Sequence, residues 1–135
     1  MKCYEFKFEP FKGTDLIKLG LTSEEYQNIL GVKPTKFYKS EFNTVPSDDF
    51  DFCHIHYNEN KTSNYIDFFI PTKITFNDFV LMDKKSDGSL VKEYIKSLDP
   101  HCEVSEDTVE SFKKGIYIYM PEGFVECISI YIPSE

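Results

Sequence analysis

The sequence predicts an α+β domain: two tandem units, each a helix followed by antiparallel strands, forming a mostly antiparallel sheet with both helices on one face. Three observations lead there. Residues 51–71 and 113–133 are both rich in β-branched and aromatic residues and broken by turn residues, so each reads as a β-hairpin. A shift of 62 positions, which sets Pro71 under Pro133 without a gap, aligns Tyr57 with Tyr119, Ile66 with Ile128, Phe68 with Ile130 and Ile70 with Ile132. A helix signal precedes each hairpin. One helix and about three strands cannot cover a sheet, so two such units are expected to share one.

Taken in order, residues 2–8 alternate polar and apolar side chains and predict a strand, and residues 10–13 predict a turn. Leu16, Ile17 and Leu19 form a short apolar run ending at Gly20. Thr22 or Ser23 then caps a helix through about Leu30, with Glu24 and Glu25 in its first turn and Gly31 as its stop. Tyr26, Ile29 and Leu30 share one face of it. Residues 35–42 predict a strand and 43–49 a loop, and the first hairpin follows over 50–70. Residues 74–82 match 11–19, with Asp78 on Asp15. Asp87-Gly-Ser89 opens a second helix over about 90–98, with Leu90, Val91, Tyr94, Ile95 and Leu98 on its buried side. Asp99-Pro100 ends it. Residues 101–104 predict a short strand and 105–111 an acidic loop before the closing hairpin. The chain is thus expected to be one domain of two repeats, about 11–71 and 74–133.

Strand alternation sends Ile66, Phe68 and Ile70, with Ile128, Ile130 and Ile132, toward the helices. Tyr65, Asp67 and Phe69, with Cys127, Ser129 and Tyr131, then face outward. The gapless shift also puts Ile116 and Ile118 in the places of His54 and His56.

A chain of 135 residues with 41% hydrophobic and 16% aromatic content can bury a core. Its net charge of −8 and its lack of arginine disfavour nucleic acid and anionic membranes, and favour basic partners. The alternating N-terminus is unlike a signal peptide, and no apolar run reaches membrane-spanning length. Cys3, Cys53, Cys102 and Cys127 form no C-x-x-C pair and read as reduced, half-buried hydrophobes. A cytoplasmic protein is expected.

His54 and His56 stand two apart on one strand, a spacing that can serve a metal, with His101 or Cys102 as a third ligand. No carboxylate is fixed by spacing beside them, so a solvated or core-edge pair fits better. Glutamine at both positions is then expected to leave stability nearly unchanged. Cys53 and His54 point to opposite strand faces and cannot form a dyad. No phosphate loop, G-x-S-x-G or H-E-x-x-H motif occurs. The reading is therefore non-catalytic, without metal or cofactor. Acidic residues precede both hairpins: Asp48, Asp49 and Asp51, then Glu103, Glu106, Asp107 and Glu110. Such runs are commonly solvated loops. With Phe69 and Tyr131 as outward aromatics, they also make a candidate docking surface for a basic protein.

Tandem helix-plus-strand units resemble the layout of the β-lactamase inhibitor protein, although each unit here is shorter. The small, acidic, aromatic-rich character also resembles bacterial immunity proteins, which neutralise toxins. The resemblance covers composition and layout, and no functional residue carries over. It implies a protein that binds and blocks another. The alternatives are a structural or small-ligand-binding domain, and then a small metal-dependent enzyme using His54 and His56.

Overall fold

Both helices begin and end at the residues that predict them. The computed structural model describes residues 4–133, and Lys2 and Cys3 lie outside them. Helix α1 (Ser23–Leu30) is capped by Thr22, whose hydroxyl accepts from the Glu25 N–H while the Glu25 carboxylate accepts from the Thr22 N–H. Gly31, at φ 70°, closes the helix in the left-handed conformation that glycine adopts at least cost. Helix α2 (Gly88–Leu98) is capped by Asp87, which accepts from the Ser89 and Leu90 N–H groups. Tyr26 is the buried residue of α1; its hydroxyl bonds the Lys18 carbonyl and Ser63, and burial pushes its pKa up to about 12. Val91 and Ile95 are buried in α2, whereas Leu90 is 63% exposed and Ile29 of α1 is also exposed, so those two expected core positions face solvent.

The strands are β1 (Glu5–Glu9) and β2 (Gly13–Thr14) before α1, then β3 (Thr35–Phe37), β4 (Ser47–Asp49), β5 (Cys53–Tyr57) and β6 (Ser63–Phe69). Next come β7 (Lys73–Phe76) and β8 (Phe79–Met82) before α2, then β9 (Glu103–Val104), β10 (Thr108–Ser111), β11 (Ile116–Tyr119) and β12 (Cys127–Tyr131). Two sheets replace the single sheet expected. The larger, antiparallel throughout, has the order β3-β4-β5-β6-β12-β11-β10-β9; the smaller has the order β2-β1-β7-β8, with β1 and β7 parallel. Two segments expected as loops contain strands: β4 lies within 43–49 and β10 within 105–111. Both are polar in sequence, but their backbones extend the ladder.

Alternation on the larger sheet buries Cys53, Ile55, Ile66, Phe68, Ile116, Ile118, Ile128 and Ile130 on one face. The smaller sheet closes over it, with the Phe6 ring 5.6 Å from Phe68. Full burial of each of these isoleucine and phenylalanine side chains contributes about 1.5–3 kcal/mol. Ile70 is only half-buried and Ile132 is exposed, because both lie beyond the strand ends.

The register corrects one alignment. Ile55 pairs with Ile66 in the first hairpin and Ile118 with Ile128 in the second, so the second connection is one residue shorter. The extra residue is taken up at the register shift between His56 and Tyr57. One residue of slip exchanges faces. Tyr117 and Tyr119, not Ile116 and Ile118, therefore stand where His54 and His56 do.

Candidate binding face

The other face of the larger sheet carries His54, His56, Tyr65, Asp67 and Phe69 from the first hairpin. From the second it carries Tyr117, Tyr119, Cys127, Ser129 and Tyr131, as alternation and register require. Its centre is a chain of hydrogen bonds. Ser47 Oγ lies 2.7 Å from His56 Nδ1, His56 Nε2 lies 2.9 Å from Asp67 Oδ2, and Ser129 donates to Asp67 Oδ1 at 2.5 Å. An ionised carboxylate only accepts, so Nε2 carries the proton of the His56–Asp67 bond. Burial alone raises the Asp67 pKa, but the hydrogen bonds from His56 and Ser129 and the nearby Lys39 charge outweigh it and hold the carboxyl below its ordinary value.

The residue types Ser47, His56 and Asp67 are those of a hydrolytic triad, yet the imidazole offers Nδ1 to the serine, the reverse of the usual orientation. Ser47 is 4% exposed and His56 8%, which leaves an acyl group no approach to the hydroxyl. The string is suited to holding strands together.

Aromatic rings surround it. Phe37 and Phe69 each sit 4.8 Å from His54, and Tyr65 stacks on Tyr131 at 5.4 Å with planes 10° apart. Lys39 Nζ stands 5.0 Å over the Tyr65 ring. Tyr119 is exposed and Tyr117 half-buried.

The structure divides the expected contact residues. Asp48 is 0% exposed: alternation turns it to the core side opposite Ile55, where it pairs with Lys36 and accepts from Ser23 and Tyr57 at 2.5 Å. It cannot meet a partner. Tyr131 is 9% exposed, stacked on Tyr65 and donating to Glu110 at 2.6 Å, and burial together with that carboxylate raises its phenol pKa. It is a packed residue, not a free anchor. Phe69 is half-buried with its ring against His54. Asp49 lies 3.5 Å from His54 and accepts the Asp51 N–H, while Asp51 is exposed in the turn after β4. Glu103 and Glu106 are exposed, and Asp107 and Glu110 half-buried.

The two acidic sets stand near opposite edges of the larger sheet. β4 and β10 are five strand spacings apart, about 24 Å. His101 and Cys102 lie beside β9, at the far edge from β5, and so do not join His54 and His56. Among the described residues no three His, Cys, Asp or Glu side chains are grouped to hold a metal ion. Cys53, Cys102 and Cys127 are free, and Cys3 lies outside the described residues. Sequence reading missed Phe37, Lys39, Ser47 and Tyr117. Ser47 follows Pro46 in a polar stretch with no strand signal, and Tyr117 was hidden by the one-residue slip.

No protein-family model matches this chain, and no curated protein or solved structure is significantly similar to it. No helix among the described residues is long and apolar enough to cross a membrane.

Proposed function

We propose that this chain is a non-catalytic binding protein of the immunity or inhibitor kind, which neutralises a basic protein by docking it on the open face of the larger sheet. The observation that carries the reading is the half-open strip of Tyr65, Phe69, Tyr117 and Tyr119, framed by carboxylates on a chain of net charge −8. A few aromatic anchors supply most of an interface's energy, and surrounding charge speeds encounter. The bonds among Ser47, His56, Asp67 and Ser129 hold that strip rigid beforehand, which lowers the entropy cost of docking. The charge argues against nucleic acid or a membrane surface as the partner, and a cytoplasmic setting fits reduced thiols.

In the same reading the domain consists of two copies of one unit. The succession of two strands, a helix and four strands occurs twice, and β6 meets β12 with Asp67 opposite Ser129, residues 62 positions apart. Both helices then cover the face opposite the aromatic strip. Contacts from Ser23 to Asp48 and from Asp99 to Ser111 support that placement.

The test is association with basic toxin domains encoded beside its gene. A one-to-one complex is expected. Changing Glu106, Asp107 and Glu110 to amides slows association and flattens its salt dependence, whereas Tyr119→Ala speeds dissociation, at a cost of roughly 2 kcal/mol. An association rate indifferent to salt and to these carboxylates overturns the reading.

A further inference from the structure

We propose that the Tyr65 ring is a cation seat for a lysine side chain of the partner, and that the chain's own Lys39 fills that seat in the free protein. The assignment of the incoming lysine to a partner rests on the basic-partner reading; the seat rests on the ammonium already found there. Lys39 Nζ stands 5.0 Å from the centre of the Tyr65 ring, within the distance at which a ring face attracts a cation.

The seat is fixed before any ligand arrives. Tyr65 stacks on Tyr131 with the rings 5.4 Å apart, and the edge-on His56 ring stands 5.9 Å away. Both neighbours are held in turn, Tyr131 by Glu110 at 2.6 Å and His56 by Ser47 and Asp67. The surroundings are negative. Burial, and then the Asp67 and Glu110 charges, push the Tyr65 phenol above its ordinary pKa, and the Lys39 charge helps to hold Asp67 ionised. A preset ring in a negative field suits a primary ammonium on a long stem.

The present occupant is built to leave. β3 and β6 are three strand spacings apart, about 14 Å, so the connection after Phe37 must turn over the open face of β4 and β5 to bring Lys39 to Tyr65. That connection, residues 38–46, is outside the core: Tyr38 is 60% exposed and Phe42 85%, and the hydrogen bonds of its tip run among Ser40, Phe42 and Asn43. Lys39 is itself exposed, so it can swing off the ring without breaking a strand ladder. A cation on an exposed ring is weakly held. A partner lysine, brought in with the rest of an interface at high effective concentration, therefore displaces it. Lys39 thus competes with the partner, and its removal should tighten binding.

The test is proton NMR of the full chain, with acetylated and amidated pentalysine as the probe. In the free chain the Lys39 ε-methylene signals should lie upfield of those of the other lysines, shifted by the Tyr65 ring, and Tyr65→Leu should return them. Adding the peptide should return them in the wild-type chain too, while the Tyr65 ring signals move. Lys39→Met should bind the peptide about twofold to fivefold more tightly, the factor set by one exposed cation–π contact. Lys84→Met, on the exposed segment after β8, sets the baseline for the same change of charge away from the strip. Lys39 signals that stay in place as the peptide binds, or a gain in K39M no larger than in K84M, overturn the proposal. Failure of the docking reading is separable: it shows as salt-independent association of a complex, whatever the peptide does to Lys39.

Discussion

Asp67 is the residue on which both hairpins converge: it pairs with His54 across one ladder and with Ser129 across the other, and its oxygens take the His56 and Ser129 hydrogen bonds. Its pKa is depressed in the folded state, which fixes the sign of a pH effect. The stabilisation is fully present above the ordinary carboxylate value of about 3.9 and is lost as pH falls through the lower folded value. Asp67→Asn should therefore cost about 1–3 kcal/mol at neutral pH and flatten the loss of stability below about pH 4. Urea unfolding at pH 7 and pH 3 checks both, and an unchanged acid limb would count against the assignment. His54 and His56 separate in the same measurement. His56→Gln should destabilise, since the ring joins Ser47 to Asp67, whereas His54 is partly exposed, packs against the Phe37 and Phe69 rings and has a longer 3.5 Å polar contact with Asp49, so His54→Gln should cost less than His56→Gln. The expectation that both changes are silent holds only for a pair outside a network, and nothing in the spacing of two histidines shows that one of them sits between a serine and an aspartate.

At the scale of elements, the helices are the most local structures in the chain and the easiest to read. Thr22 with Glu25 makes a reciprocal cap and Asp87 accepts two N–H groups, so Thr22→Ala and Asp87→Ala should each cost about 1 kcal/mol in chemical denaturation. Thr22→Ser should restore most of the first loss, and equal stability of all three variants would show that packing alone sets the helix ends. The hairpins were legible for a similar reason, since β-branched and aromatic runs bounded by turn residues state their own conformation. β4 and β10 were not. Ser47-Asp48-Asp49 reads as loop, and only ladders to β3 and β5, with Lys36, Ser23 and Tyr57 waiting for Asp48, make it a buried strand. The face of a strand is fragile information in the same way. One bulge at His56 and Tyr57 was enough to exchange the expected places of isoleucines and tyrosines in the second hairpin, and with them part of the candidate binding strip. Carboxylates were the least legible feature, because sequence position shows a charge but not whether Lys36 or Tyr131 already engages it.

The whole molecule is tied together twice. β6 and β12 join the hairpins at the middle of the larger sheet, and β1 and β7, parallel neighbours in the smaller sheet, join segments at the starts of the same two halves. The smaller sheet also packs its Phe6 on Phe68 of the larger, so neither half owns a closed core. A chain so connected should unfold in one cooperative transition even if it descends from two copies of one unit. Ile66 and Ile128 probe this directly. Both are fully buried and stand 62 positions apart, and each packs at the β6–β12 seam, Ile66 opposite Ile130 and Ile128 opposite Phe68. Ile66→Ala and Ile128→Ala should each cost about 2–5 kcal/mol, by similar amounts if their surroundings are equivalent. Either loss should shift the single transition seen by far-ultraviolet circular dichroism and by tyrosine fluorescence together, because the seam belongs to both halves. Hydrogen exchange should agree, with the amides of β6 and β12 opening only in global unfolding. Were Ile66→Ala to melt the first hairpin while the second kept its protection, the halves would be separate cooperative units, and the seam would be a contact between them rather than the centre of one fold.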